Sequence, residues 1–295
     1  MASKLIQLIK TLSKPLEPIS TNLHPSTIVL KNIQCVVFDI YGTLLLSSSG
    51  DIGLSQKNSE SEYFLKALQQ SGVKILSSEK VKLGLDYFYQ EIDIAHNRSK
   101  KNGFIYPEVV ITEIWAKVIA KLLQKRLIEI KNINIREIAV LFECFVNPVW
   151  PMPNLTSTLQ YLKSKNIVLG IISNAQFYTP LLFKALTGFT LEGLGFSSNL
   201  IEYSFKNGEA KPSSKMFTNV KQSLLTNFNI LPANTLYIGN DMLNDIYSAK
   251  KEGYKTALFA GDLRSLRLRQ DMPQLVEVKP DIVITELNHI IDLVK

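Results

Sequence analysis

Cysteine is nearly absent from this chain. Cys35 and Cys144 are its only two in 295 residues, too few for a disulfide framework, and each sits in an apolar run where a buried thiol is expected rather than a bridge. The three histidines, His24, His96 and His289, are scattered, with no spacing that makes a zinc site. No stretch approaches the run of about 20 apolar residues that crosses a bilayer, and Lys10 interrupts the short apolar start before a signal-peptide core can form. A cytoplasmic protein without a membrane span is therefore expected. The sequence also has no glycine-rich phosphate loop, no Cys-x-x-Cys and no serine-nucleophile elbow. It has no internal repeat or low-complexity tract. No arginine-rich or aromatic-interleaved basic stripe accompanies the net charge of +7, so nucleic acid is not an expected partner.

What is present describes a globular protein. A hydrophobic fraction of 46% with 20% charged residues excludes a disordered chain, and a chain of this length buries a sizeable core without needing metal or disulfides to fold. The excess lysines are dispersed and favour a small anionic ligand. The opening "KLIQLIKTL" sets Leu5, Ile6, Leu8, Ile9 and Leu12 on one helical face. That face is expected to pack against the body of the protein or a second copy in a homodimer; grazing a membrane surface is the alternative.

The chain divides by pattern. An arm over residues 1–33 carries Pro15, Pro18 and Pro25, a strand is expected at 34–39, and "SSSGDIG" reads as a polar loop. From about 57 to 147 apolar residues recur at helical spacing in four segments. One of them runs from "SSEKVK" to Gly103, and another starts at Pro107. From 154 onward short β-branched strands alternate with amphipathic helices, the signature of a parallel sheet covered on both faces. The expected fold is α/β, a Rossmann-like doubly wound parallel sheet (34–49 and 151–295) interrupted after its first strand by an α-helical cap (50–150).

In such sheets ligands bind beyond the carboxyl ends of the strands. Asp39, Ser173-Asn174 and Asn240-Asp241 all fall there, and Lys211 lies in the loop "NGEAKPSSK". Singly, each is an ordinary cap or loop residue; together they are harder to dismiss. With "VVFDIYGTL", "GIISN", "AKPSSKMF" and "YIGNDMLNDI" in this order, the chain resembles the haloacid dehalogenase-like (HAD) hydrolase superfamily, whose caps are inserted where the helical segment lies. The resemblance implies a hydrolase with Asp39 as nucleophile, forming a covalent aspartyl intermediate that water resolves. It makes Lys211 the cation that holds Asp39 and phosphoryl oxygens, with Thr43, Ser173 and Asn174 as further hydrogen-bond donors. Three carboxylates converging through Asp241 and Asp245 would repel unless a cation sat among them. Mg²⁺ suits them, with the Tyr41 backbone carbonyl completing the ligation as in the family. Asp245 serves equally well as a supporting acid, and Asn244 reads as a cap.

Tyr41 stands where most phosphatases of the superfamily have a second aspartate as general acid and base. A phenol is a poor base near neutrality. Three readings follow. The first is a Mg²⁺-dependent phosphohydrolase for a small phosphorylated substrate with a good leaving group, or one with a base borrowed from Glu91, Asp93, His96 or Glu108. The second is a carbon-halogen hydrolase like the L-2-haloacid dehalogenases, which share Asp-x-Tyr-Gly-Thr; Arg98 would then face the halide. The third is a binding or scaffold protein that has lost turnover. The first is preferred because Asp39, Lys211, Asp241 and Asp245 are all kept. Gln176, Phe177 and Tyr178 are near enough to touch a substrate, and Arg264, Arg267 and Arg269 suit either an anion or a loop-closing role.

Overall fold

The computed structural model describes residues 2–48 and 57–294. The polar loop expected at 47–53 therefore lies, after its first two residues, outside the described residues. Six parallel strands form the main sheet: β1 (Cys35–Phe38), β2 (Val168–Ser173), β3 (Phe196–Tyr203), β4 (Thr235–Gly239), β5 (Lys255–Phe259) and β6 (Ile282–Ile284). Their spatial order is β6-β5-β4-β1-β2-β3. The strand "CVVF" is buried at every position, as a central strand covered on both faces must be. Register then places the polar residues. Phe38 is level with Ile171 on one side and Ile238 on the other, so Asp39, Ser173-Asn174 and Asn240-Asp241 all emerge at one edge of the sheet.

An antiparallel ribbon of Leu45–Ser47 and Val149–Pro151 leads the chain out of this α/β layer and back. Between them the helices Lys57–Gln70, Gly84–Lys101, Ile111–Gln124 and Ile135–Val146 build a second core of their own around Phe64, Phe88, Trp115 and Phe142. The Phe64 and Trp115 rings stack at 5.2 Å. The fold is the expected Rossmann-like sheet with an inserted helical cap.

Two helix boundaries differ from the periodicity. The segment expected as one helix from "SSEKVK" to Gly103 is split into Ser78–Lys82 and Gly84–Lys101. The joint falls at Gly84, where a Cβ would meet the Phe64 ring at 2.6 Å; the backbone there is packed directly on an aromatic face. The helix expected from Pro107 starts at Ile111, because residues before it are drawn to the α/β layer instead. Glu108 N donates to Gly208 O at 3.0 Å, and Ala210 N donates to Tyr106 O at 2.8 Å. These bonds tie the cap to the loop that carries Lys211.

The first helix, Ala2–Leu12, buries Leu5 and Ile9 within the α/β core cluster, and Lys4 Nζ lies 2.7 Å from Glu137 Oε2. Its apolar face is spent on the protein body. Cys35 and Cys144 are both free thiols. Among the described residues no helix is long and apolar enough to cross a membrane.

Candidate active site

Asp39 follows β1 directly and is held by its own backbone, its N–H donating to Ile238 O at 2.8 Å. Lys211 Nζ reaches across to Asp39 Oδ1 at 2.7 Å and to Asp245 Oδ1 at 2.6 Å. It also lies 3.2 Å from the Tyr237 hydroxyl. All of these groups are buried. Burial favours a neutral lysine, but two carboxylates in contact outweigh it and push the Lys211 pKa up. Asp39 Oδ2 has no hydrogen-bond donor among the described residues. One oxygen of the acid is thus anchored and the other left free to react.

Asp245 plays a different part from Asp39. Its Oδ1 accepts from Lys211 and from Tyr237 at 3.0 Å, and its Oδ2 accepts the backbone N–H of Asp241 at 2.9 Å. Both oxygens accept hydrogen bonds, so Asp245 supports Lys211 and the Asp241 loop, while its Oδ2, with a single donor, keeps a lone pair and the residue lines the cleft. Burial pushes its pKa up to about 7, with Lys211 pulling it back down. Gly239 makes this arrangement possible, since a Cβ there would collide with the Asp245 carboxylate.

Asp241 caps the helical segment that follows. Its Oδ1 accepts from the backbone N–H of Leu243 at 2.8 Å and of Asn244 at 3.1 Å, and its Oδ2 accepts from Asn244 Nδ2 at 3.0 Å. Arg269 then grips the same carboxylate through both Nε, at 3.2 Å, and Nη2, at 2.6 Å. The three arginines of "DLRSLRLRQ" have separate jobs. Arg264 pairs with Asp262 at 3.1 Å, Arg267 lines the cleft, and Arg269 neutralises Asp241.

The remaining expected residues divide. Asn174 lines the cleft, and its Oδ1 accepts the Lys211 N–H at 2.7 Å, fixing the lysine loop. Thr43 is fully buried and its hydroxyl donates to Asn240 Oδ1 at 3.1 Å. Ser173 is likewise fully buried, with only a long contact, 3.5 Å, to Asn174 O. Thr43 braces the loops around the cleft. Gly42 belongs to the same brace, with φ at +82° and no room for a Cβ beside Ser265 and Asn240. Tyr41 lines the cleft, and its hydroxyl shares a 2.9 Å hydrogen bond with Thr179 Oγ1. Burial, with Glu143 nearby, raises its pKa well above the phenol range, so at neutral pH it is an uncharged phenol and no general base.

The cap groups considered as substitute bases are elsewhere. Glu91 pairs with Lys121 at 2.5 Å and Lys117 at 3.6 Å, and Asp93 and Arg98 are exposed. Glu108 and His96 line a second cavity between cap and sheet, together with Gln176 and Tyr178. Sequence reasoning missed Glu143, which lines that cavity too. It accepts from Tyr178 OH at 2.8 Å and Asn147 Nδ2 at 3.2 Å, and burial pushes its pKa up. An acid in the second half of the apolar helix "IREIAVLFECFV", a turn and more beyond Glu137 in its first turn, was the available signal. Asn147 in turn accepts from Ser47 Oγ at 2.7 Å, and Ser47 lines the catalytic cleft.

The cleft offers a hard divalent ion suitable donor types: the carboxylates of Asp39, Asp241 and Asp245 line it together with Tyr41, whose carbonyl is the further oxygen expected, and no cysteine or histidine is among the described residues that line it. Among the described residues no cluster of three or more His, Cys, Asp or Glu side chains is arranged as a metal cage. Arg269 already fills the Asp241 carboxylate. A charged hydrogen-bonded pair is worth roughly 1.5–3 kcal/mol, so Arg269→Met is expected to tighten Mg²⁺ binding about tenfold or more by titration calorimetry. Unchanged affinity would show that the guanidinium and the ion do not compete.

A family model described as haloacid dehalogenase-like hydrolase matches residues 33–253. Pyrophosphatase PpaX from Oceanobacillus iheyensis is 26% identical over 223 residues, covering 76% of this chain and 92% of that protein. Among solved structures, a HAD phosphatase from Thermococcus onnurineus matches with a TM-score of 0.49 at 17% identity, over 88% of this chain and 96% of that one. The L-2-haloacid dehalogenase from Xanthobacter autotrophicus matches with a TM-score of 0.46 at 17% identity, over the same shares of the two chains.

Proposed function

Because the chain belongs to the haloacid dehalogenase-like hydrolases, we propose that it is a Mg²⁺-dependent phosphohydrolase acting on a small phosphorylated substrate through Asp39. The observation that carries this reading is the asymmetry of one carboxylate: Lys211 holds Asp39 Oδ1 at 2.7 Å while Oδ2 has no donor among the described residues. Asp39 Oδ2 attacks phosphorus, the bond from phosphorus to the leaving oxygen breaks, and an aspartyl phosphate forms. Water then attacks phosphorus and returns the carboxylate. Lys211 keeps the nucleophile oriented and offsets charge on the transferring oxygens, with Arg267 at the cleft wall adding a second cation. Bound to Asp39, Asp241 and the Tyr41 carbonyl, Mg²⁺ would supply further neutralisation of that charge. With Tyr41 neutral and tied to Thr179, no residue at its position protonates the leaving oxygen, so substrates whose leaving groups depart as anions are favoured. The similarity to a pyrophosphatase supports phosphorus-oxygen cleavage as the reaction class.

The test offers purified protein acetyl phosphate, p-nitrophenyl phosphate and 2-chloropropionate with Mg²⁺ or EDTA. Phosphate release that needs Mg²⁺ and falls by about 10³-fold or more in Asp39→Asn is the expected result, since covalent catalysis ends with the nucleophile. Chloride release resistant to EDTA would replace this reading with a carbon-halogen hydrolase. No turnover of any of the three would favour a binding protein.

A further inference from the structure

We propose that the second cavity, between cap and sheet, receives the organic half of the substrate, and that this half is an uncharged, apolar, ring-sized group rather than a second anion. The inference rests on the phosphohydrolase reading and adds the substrate class to it. The catalytic cleft holds about 80 Å³, room for a phosphoryl group and little else. The neighbouring cavity holds about 370 Å³, and Asn174 lines both, so a substrate with its phosphoryl group at Asp39 extends past Asn174 into the larger space.

The walls of that space decide what fits. Phe88, Ile92, Trp115, Phe142 and Val146 come from the cap, and Ala175 and Tyr178 close the side toward the sheet. Such a lining, with a few polar groups placed in it, is the usual form of a site for an apolar ligand. Its charged groups are all of one sign. Glu108 and Glu143 are present, no lysine or arginine is among the described residues that line it, and burial together with Lys100 lowers the His96 pKa, leaving that ring neutral at pH 7. A second phosphate or a carboxylate entering here would lose its water and find no cation. An uncharged group meets no such penalty.

The test compares kcat/KM for phenyl phosphate, acetyl phosphate and pyrophosphate in the wild type and in Ala139→Leu and Val146→Phe, each of which adds bulk to the cavity wall. Phenyl phosphate is expected to exceed pyrophosphate by about 100-fold, and the ratio of phenyl to acetyl phosphate to fall about tenfold in either variant. Circular dichroism identifies a variant that has not folded, and the other then serves. Acetyl phosphate turnover with pyrophosphate matching phenyl phosphate, or with the ratio untouched by both variants, overturns the inference and leaves the phosphohydrolase standing. If no phosphate compound is hydrolysed, the reaction reading fails instead. The cavity is then judged by quenching of tryptophan fluorescence with 2-naphthol: binding weakened in both variants supports an apolar ring site, and no binding overturns it.

Discussion

Lys211→Met is expected to lower turnover by about 10³-fold and to destabilise the fold by about 3–5 kcal/mol, the cost of removing one partner from a buried ion pair. The size follows from what the ammonium touches. It bridges Asp39 and Asp245 at 2.7 and 2.6 Å with all three side chains buried, so its removal leaves two acids facing one another without a cation. Methionine matches the stem in volume, which separates the loss of charge from the creation of a cavity. The variant should relieve itself by taking up a proton. Asp245, already pushed up to about 7 by burial, loses the lysine that pulled it down and rises further. An acid with a folded pKa above its unfolded value makes the folded state bind more protons, and stability then falls as pH rises between the two values. Chemical denaturation should therefore find Lys211→Met closest to wild type near pH 5 and furthest from it at pH 8. A loss independent of pH would place the defect in packing rather than in the carboxylate pair.

The same cluster shows which parts of the site could be read from sequence. Asp39, Asn174 and Asp241 were legible because a parallel sheet brings every strand's carboxyl end to one edge, and the register of β1 with β2 and β4 does this directly; Lys211, in a loop beyond β3, was legible only through the motif "AKPSSKMF". Thr43 and Ser173 stand at the same edge and are fully buried, Thr43 with its hydroxyl on Asn240 Oδ1, and neither is among the described residues that line the cleft. Position along a strand sets which edge a residue reaches; it does not set the direction of a loop side chain. Arg269 and Glu143 were less legible for another reason. Each acts on a group far away in sequence, Arg269 on Asp241 and Glu143 on Tyr178, and such pairings depend on how two layers dock. The split at Gly84 has the same origin, a tertiary contact with Phe64 overriding a continuous helical period.

Tyr41→Asp is expected to narrow the gap in kcat between a poor and a good leaving group by about 10²-fold. A positioned acid and base contributes roughly 10²–10⁴-fold to reactions whose leaving group needs a proton, and nothing to one whose leaving group departs as a stable anion. Asp39, Lys211, Asn174 and Arg267 line the wild-type cleft, and on the phosphohydrolase reading only a neutral phenol stands where the proton donor would be. Its hydroxyl is engaged by Thr179 at 2.9 Å, and its pKa is driven upward by burial, so it stays un-ionised at neutral pH. A carboxyl at this position lines the same cleft and can carry the proton. Acetyl phosphate should then change little in kcat while an alkyl phosphate such as 2-phenylethyl phosphate gains, and a new acidic limb should appear in the alkyl pH profile. The exchange also removes a buried ring and leaves Thr179 with one partner fewer, so thermal stability should drop even as the alkyl rate climbs. Opposite movements of stability and alkyl turnover would mark Tyr41 as a residue that holds the loop closed at the expense of proton transfer. A fall in both substrates together would assign the missing proton to another group, with Glu143, lining the adjoining cavity, the first to substitute by glutamine.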